Sequence, residues 1–121
     1  LILSVRLKTR KANSDVLYAV MEELRLDRET KGHYRLPCAG SAFKNNYAYG
    51  KPSGIIIDEL GLRGYSRGGA KVADWHGNII VNTGSATASD IKSLSEYVRQ
   101  KVLSERGLDL ESEILFVGDW T

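Results

Sequence analysis

The chain opens on an alternation in which Leu1, Leu3, Val5 and Leu7 interleave with Ile2, Ser4, Arg6 and Lys8, a period of two that predicts a strand. The polar stretch from Thr9 to Ser14 predicts a loop, with Asn13 or Ser14 as N-cap and Asp15 in the first turn of a helix. Val16, Leu17, Val20, Met21 and Leu24 then recur at helical spacing, so the helix should run to about Glu29 and stop at Gly32. From His33 to Gly54 the pattern breaks down. Both prolines, several glycines and three tyrosines fall here around a short Ser-Ala-Phe-Lys stretch, which predicts a loop-rich region where function is expected to concentrate.

Ile55 to Ile57 followed by Asp58, Glu59 and Leu60 fits a strand or a short helix, and Gly61 at its end favours the helix. Gly64, Gly68 and Gly69 bracket Tyr65 to Arg67. Beyond them Ala70, Val72 and Ile79 to Val81 predict two strands joined by a turn from Asp74 to Asn78, and Asn82 to Ala86 predicts a further turn. Thr87 and Asp90 stand at capping-box spacing. Ile91, Leu94, Val98 and Val102 mark one face of the helix they would start, which should end before Gly107, and Glu113 to Val117 predict a last strand. Hairpin-like pairing of the middle strands favours an α+β fold, a small and mostly antiparallel sheet with helices packed on it, over a parallel one.

Composition narrows the class of protein. At 121 residues the chain is one domain's worth. With 42% hydrophobic and 26% charged residues it is globular in make-up and not disordered. Seventeen Lys and Arg against fifteen Asp and Glu give a net charge of +2, too little to suggest nucleic-acid binding. No apolar run reaches the ~18 residues of a membrane span, so a soluble chain with no membrane partner is expected. The lone Cys38 leaves no internal disulfide and suits a reducing cytosol; its own expected state is a small buried thiol. A strand pattern at full strength from Leu1 predicts a fragment of a longer chain.

The residues able to do chemistry are ambiguous one by one. The glycines between Gly61 and Gly69 do not fall at dinucleotide-loop spacing, and no phosphate-loop motif is present. His33 and His76 lack Cys, Asp or Glu at metal-ligand spacing and read as surface or turn residues, so no metal site is expected. Arg63, Arg67 and Lys71 would suit a phosphate, but a solvated face is the ordinary meaning of such a run. Ser41 follows Gly40 and taken alone is a turn or cap residue. Glu113 precedes the apolar run Ile114 to Val117, where it is either a carboxyl desolvated at a strand mouth or a solvated strand start.

Taken together the motifs are more specific. LPCAGSAFKN at 36–45, IIDELGLRGYSRGGAKV at 56–72, HGNIIVNTGSAT at 76–87 and LDLESEILFVG at 108–118 occur in this order. The set closely resembles the C-terminal domain of the UDP-N-acetylenolpyruvoylglucosamine reductase (MurB) family, whose signature runs A-G-S-x-F-K-N, then L-I-D-x-x-G-L-K-G-x-x-x-G-G-A-x-V, then a helix, then L-x-x-E-V-R-x-I-G. The opening ILSVRLK is similar to the last strand of that family's preceding FAD-binding domain, which puts residues 1–10 with that domain and 11–121 in the C-terminal substrate-binding domain.

The resemblance implies a bacterial, cytoplasmic flavoenzyme of peptidoglycan synthesis. In that family NADPH reduces FAD, and the reduced flavin reduces the enolpyruvyl ether of a UDP-sugar to give UDP-N-acetylmuramate. It implies Ser41 as proton donor to the substrate carbon, Glu113 as the carboxyl that hydrogen-bonds the developing enol, and Gly40, Lys44 and Asn45 as substrate contacts. FAD would be held mainly by the absent N-terminal domain, this fragment alone would be inactive, and the parent would be a monomer. Asn46 stands where the family usually has Pro, and Ile55 where many relatives have Lys; both touch loop shape and diphosphate contacts. A non-catalytic α+β binding module that keeps the scaffold is the alternative, and retention of both Ser41 and Glu113 argues against it.

Overall fold

A computed structural model of the chain describes residues 2–120; Leu1 and Thr121 lie outside the described residues. Helix α1 spans Ser14–Thr30, capped by the Asn13 side chain, which accepts from the N–H groups of Asp15 and Val16 at 2.9 and 3.2 Å. After it come strand β1 (Cys38–Ser41), a 3₁₀ turn (Tyr47–Tyr49), helix α2 (Ser53–Glu59), strands β2 (Ser66–Arg67), β3 (Ala70–Val72) and β4 (Ile79–Asn82), and helix α3 (Ala88–Arg106). The four strands form one antiparallel sheet in the order β1-β4-β3-β2, so the expected α+β architecture is the one observed.

The sheet is built around β4, whose Ile-Ile-Val run is apolar on both faces because both faces are covered. Ile80 joins Val72 and Ala70 against Leu94, Val98 and Val102 of α3, together with Phe43, Ile56, Ile57 and Leu110. Ile79 and Val81 point the other way, where they meet Ala73, Leu36 and Trp75. Helix α3 is fixed at both ends as its sequence predicts: Thr87 and Asp90 form a reciprocal capping box, and Gly107 ends the helix at φ 69° with its N–H on the carbonyl of Leu103.

Both terminal segments depart from the sequence expectation. Residues 2–13 form no strand, and Ile2, Leu3, Val5 and Leu7 are exposed; the alternation is present, but the segment pairs with neither edge strand of the sheet, β1 or β2. The predicted strand from Glu113 to Val117 is also absent. Only an isolated bridge between Phe43 and Ser112 forms there, and Leu115 and Val117 are exposed, because the chain past Ser112 leaves the edge it began to pair with. The two-residue strand β2 lies between glycines that read as turn punctuation. Cys38, expected to be buried, is exposed on β1, an edge strand. Helix α1 buries none of its residues, so the packed unit begins near Gly32. Among the described residues no helix is long and apolar enough to cross a membrane.

Candidate active site

The segment after β1 is held more tightly than a loop of its composition suggests. Strand β1 pairs with β4 through Cys38–Val81 and Ser41–Ile79, a register that slips by one residue between the two pairs. The slip is a bulge, and Gly40 carries it at φ 84°, a left-handed backbone that costs an L-residue about 1–2 kcal/mol. A Cβ at Gly40 would meet nothing within 4 Å, so the glycine is needed for its conformation and leaves open space beside Ser41.

The next three residues have every backbone polar group paired. The Ala42 N–H donates to the Asn78 carbonyl at 2.8 Å, and the Ala42 carbonyl accepts from the Glu113 N–H at 2.9 Å. The Phe43 N–H donates to Asn78 Oδ1 at 2.9 Å while Asn78 Nδ2 donates back to the Phe43 carbonyl at 2.7 Å. The Lys44 N–H donates to the Glu111 carbonyl at 2.9 Å, and the Lys44 carbonyl accepts from Ser53 Oγ at 2.7 Å. Asn78 and Ser53 are themselves buried, at 2% and 0% exposure, so water does not compete for these bonds. The result is a rigid strap, with Ala42 and Phe43 buried in the core and the polar Ser41 and Asn45 emerging at its two ends.

Ser41 and Asn45 line one cleft of about 310 Å³ together with Asp58 of α2 and Trp75, His76 and Asn78 of the β3–β4 turn. Asn45 accepts the Ser53 N–H on Oδ1 at 2.9 Å, which orients its amide, holds the start of α2 and leaves Nδ2 as a donor. His76 Nδ1 accepts the Asn78 N–H at 3.1 Å, so the proton of the neutral ring sits on Nε2. Although His76 is exposed, the desolvation of its ring against the cleft wall and the nearby His33 push its pKa below the usual value, against the opposing pull of Asp58. The two histidines, remote in sequence, have ring centroids 6.4 Å apart.

The other predicted site residues lie around this cleft. Lys44 faces a neighbouring depression shared with Asn45, Tyr49 and Glu111. Its ammonium pairs with Glu111, which raises its pKa, with a smaller contribution from Glu113. Glu113 is exposed, and its backbone, through the bond to Ala42, keeps it beside the strap; the desolvation expected at a strand mouth is missing because there is no strand. Arg63, Arg67 and Lys71 do not converge: Arg63 pairs with Asp58, Lys71 with Asp74 at 2.7 Å, and Arg67 lies over Tyr97 at 4.5 Å. Among the described residues no cluster of His, Cys, Asp and Glu could hold a metal ion.

Sequence reasoning missed Asn78, Ser53, Trp75 and His76 as parts of the site. An asparagine in a His-Gly-Asn turn reads as turn chemistry, and nothing in its neighbours announces that it is buried. The only available signal was its place between two apolar strands, where a tight turn lies close to the core.

A family model described as UDP-N-acetylenolpyruvoylglucosamine reductase, C-terminal domain, matches residues 32–117, which is also where the packed unit lies. The UDP-N-acetylenolpyruvoylglucosamine reductase of Treponema pallidum is 52% identical over 119 residues, covering 98% of this chain and 34% of that protein. The Borreliella burgdorferi reductase of the same name is 46% identical over 117 residues, covering 97% of this chain and 39% of its own. The crystal structure of UDP-N-acetylenolpyruvylglucosamine reductase (MurB) from Thermus caldophilus superposes with a TM-score of 0.64 at 36% identity, covering 89% of this chain and 38% of that one. The chain thus spans about a third of the length of the relatives it matches.

Proposed function

The chain belongs to the family of UDP-N-acetylenolpyruvoylglucosamine reductase C-terminal domains, and on that premise we propose that it is the substrate-binding and proton-donating part of such a reductase, acting in peptidoglycan precursor synthesis in the bacterial cytoplasm. The observation that carries the reading is the strap: Ser41 and Asn45 stand at the two ends of a backbone segment with every polar group paired, and both open on the same cleft. A fixed donor beside a polar cleft is what protonation of a carbon centre requires.

In this proposal FAD and NADPH, bound by the rest of the parent enzyme, would supply hydride chemistry for the conversion of the enolpyruvyl ether to the lactyl ether. The described residues do not fit a dinucleotide of that size: the cleft at Ser41 lies at the lower end of the ~300–1,000 Å³ range of small-molecule sites and is needed for the sugar. The steps assigned to this chain are therefore binding and proton transfer. Hydride arrival at C3 of the enolpyruvyl group leaves carbanion character at C2. Ser41 Oγ donates its proton there, and Glu113, when its carboxyl carries a proton, donates a hydrogen bond to the enolate oxygen and so disperses its charge. Asn45 Nδ2, turned outward by the bond its Oδ1 makes to Ser53, contacts the sugar, with Lys44 close to the diphosphate. Gly40 gives the ligand backbone access, which its open Cβ position supports.

Residues 1–10 belong, in the same proposal, with the flavin-holding unit, and the exposed Leu3, Val5 and Leu7 support this because they share one face of the alternation, an apolar face to bury. The exposed Val16, Leu17, Met21 and Leu24 of α1 support packing against the same unit, within a monomeric parent enzyme.

The test separates the two half-reactions of the full-length reductase. Ser41→Ala should leave flavin reduction by NADPH near its normal rate and slow flavin reoxidation by the enolpyruvyl substrate by about 10²–10⁴-fold. Equal slowing of both halves would make the serine structural. If neither half slows, another group donates the proton.

A further inference from the structure

We propose that His76 is a positioning residue for Ser41, its unprotonated Nδ1 holding the β3–β4 turn in the one geometry from which Asn78 can strap the backbone that follows the serine. The proposal rests on the reading of Ser41 as proton donor, but the strap and its dependence on His76 can be tested without turnover.

A continuous chain of bonds runs from the imidazole to the backbone of the two residues that follow the serine. His76 Nδ1 accepts the Asn78 N–H. The Asn78 carbonyl takes the N–H of Ala42, the residue next to Ser41, and the Asn78 side chain takes both backbone groups of Phe43. The turn has no room to slip while these bonds persist. A Cβ on Gly77 would lie 2.4 Å from the Gly54 carbonyl oxygen and 3.1 Å from the Asp58 N, and one on Gly54 would lie 2.9 Å from His76 Cε1. The imidazole and the peptide after it are therefore seated directly on the first turn of α2, and the turn backbone has a single register against the helix.

Protonation would break the first bond. An imidazolium carries N–H on both nitrogens, so Nδ1 would present a donor to the donor N–H of Asn78, and one of the two would have to turn away. The charged groups around the ring act in both directions. His33, on the loop after α1 with its ring centroid 6.4 Å from that of His76, acts against the cation. Asp58 on α2 favours the cation but is committed to Arg63, and Asp74 in the same turn is committed to Lys71. Desolvation of the ring first, and His33 after it, disfavour the charged form against the pull of Asp58, which lowers the His76 pKa and favours the neutral ring that accepts from Asn78.

The experiment uses isotope-labelled chain and the full-length reductase. In NMR of the chain near neutral pH, His76 should be the Nε2–H tautomer, and on acidification the amide resonances of Asn78, Ala42 and Phe43 should shift with the midpoint of His76. His76→Asn places an oxygen where Nδ1 stands and cannot titrate, so the shared midpoint should vanish. In the reductase, His76→Leu should lower kcat on the order of 10²-fold with a much smaller change in KM, and His76→Asn should recover part of that loss without the wild-type decline on the acid side. Amide shifts that ignore the His76 midpoint, or an Nδ1–H tautomer, overturn the proposal even if the variants fold poorly. If the amides follow His76 while Ser41→Ala turns over normally, the positioning stands and the proton-donor reading falls.

Discussion

The side-chain amide of Asn78 holds both backbone polar groups of Phe43, at 2.9 and 2.7 Å, across 35 positions of sequence. One buried residue thus does for the Ser41 segment what a neighbouring strand would otherwise do, and leaves the side chains at both ends of that segment facing a cleft.

Asn78→Ala should be strongly destabilising. It leaves the N–H and C=O of Phe43 without partners in the core, and an unsatisfied buried group costs about 1–3 kcal/mol. Urea denaturation should show the loss as a lower midpoint at unchanged slope. A drop no larger than that of an exposed asparagine, such as Asn46→Ala, would show that water reaches the strap.

Two glycine substitutions should separate conformation from packing. Gly40→Ala faces open space and costs only the left-handed backbone, about 1–2 kcal/mol, but it disturbs the bulge that aims Ser41, so turnover of the full-length reductase should fall while most stability remains. Gly69→Ala would put a Cβ 2.3 Å from the Ala86 backbone N, where the Gly69 carbonyl also accepts the N–H and Oγ1 of Thr83 at 3.0 and 2.8 Å. Its thermal midpoint should therefore drop further than that of Gly40→Ala. The reverse order would mean that the 82–86 turn yields easily.

Stability should fall between neutral and mildly acidic pH through His76. The unfolded imidazole titrates near 6.5 and the folded one lower, because burial and His33 disfavour its charge. Within that window the unfolded chain binds more protons, so the contribution is complete above 6.5 and is lost as pH falls toward the folded value. Urea midpoints measured from pH 8 to 5 should show the decline in wild type and a smaller one in His76→Asn. Identical profiles would remove His76 as the source.

Trypsin should cut the chain early between Arg6 and Lys31. Residues 2–13 are irregular and α1 buries no side chain, so neither is protected by packing. Mass spectrometry should find a resistant product beginning after Lys31 or Arg35. Equally fast cleavage at Arg63, Lys71 or Arg99 would show that the unit from Gly32 onward is not stable by itself.

Local signals in the sequence were enough for the elements whose stability is local. Thr87 and Asp90 cap α3, Gly107 ends it and Asn13 starts α1, because a cap satisfies backbone groups within a few residues of itself. The Ile-Ile-Val run gave a central strand because continuous apolarity has meaning only where both faces are covered. The motif set also pointed to the family. What the sequence could not determine depends on partners distant in the chain. The alternation of residues 2–8 and the apolar run 114–117 describe faces that could be buried, but a strand exists only where it pairs with another, and neither segment joins an edge of the sheet. The roles of Asn78 and His76 were hidden for the same reason: a turn residue becomes a strap, and a surface histidine the support of that strap, only when the β3–β4 turn is folded against α2 and the backbone after Ser41 is laid across it.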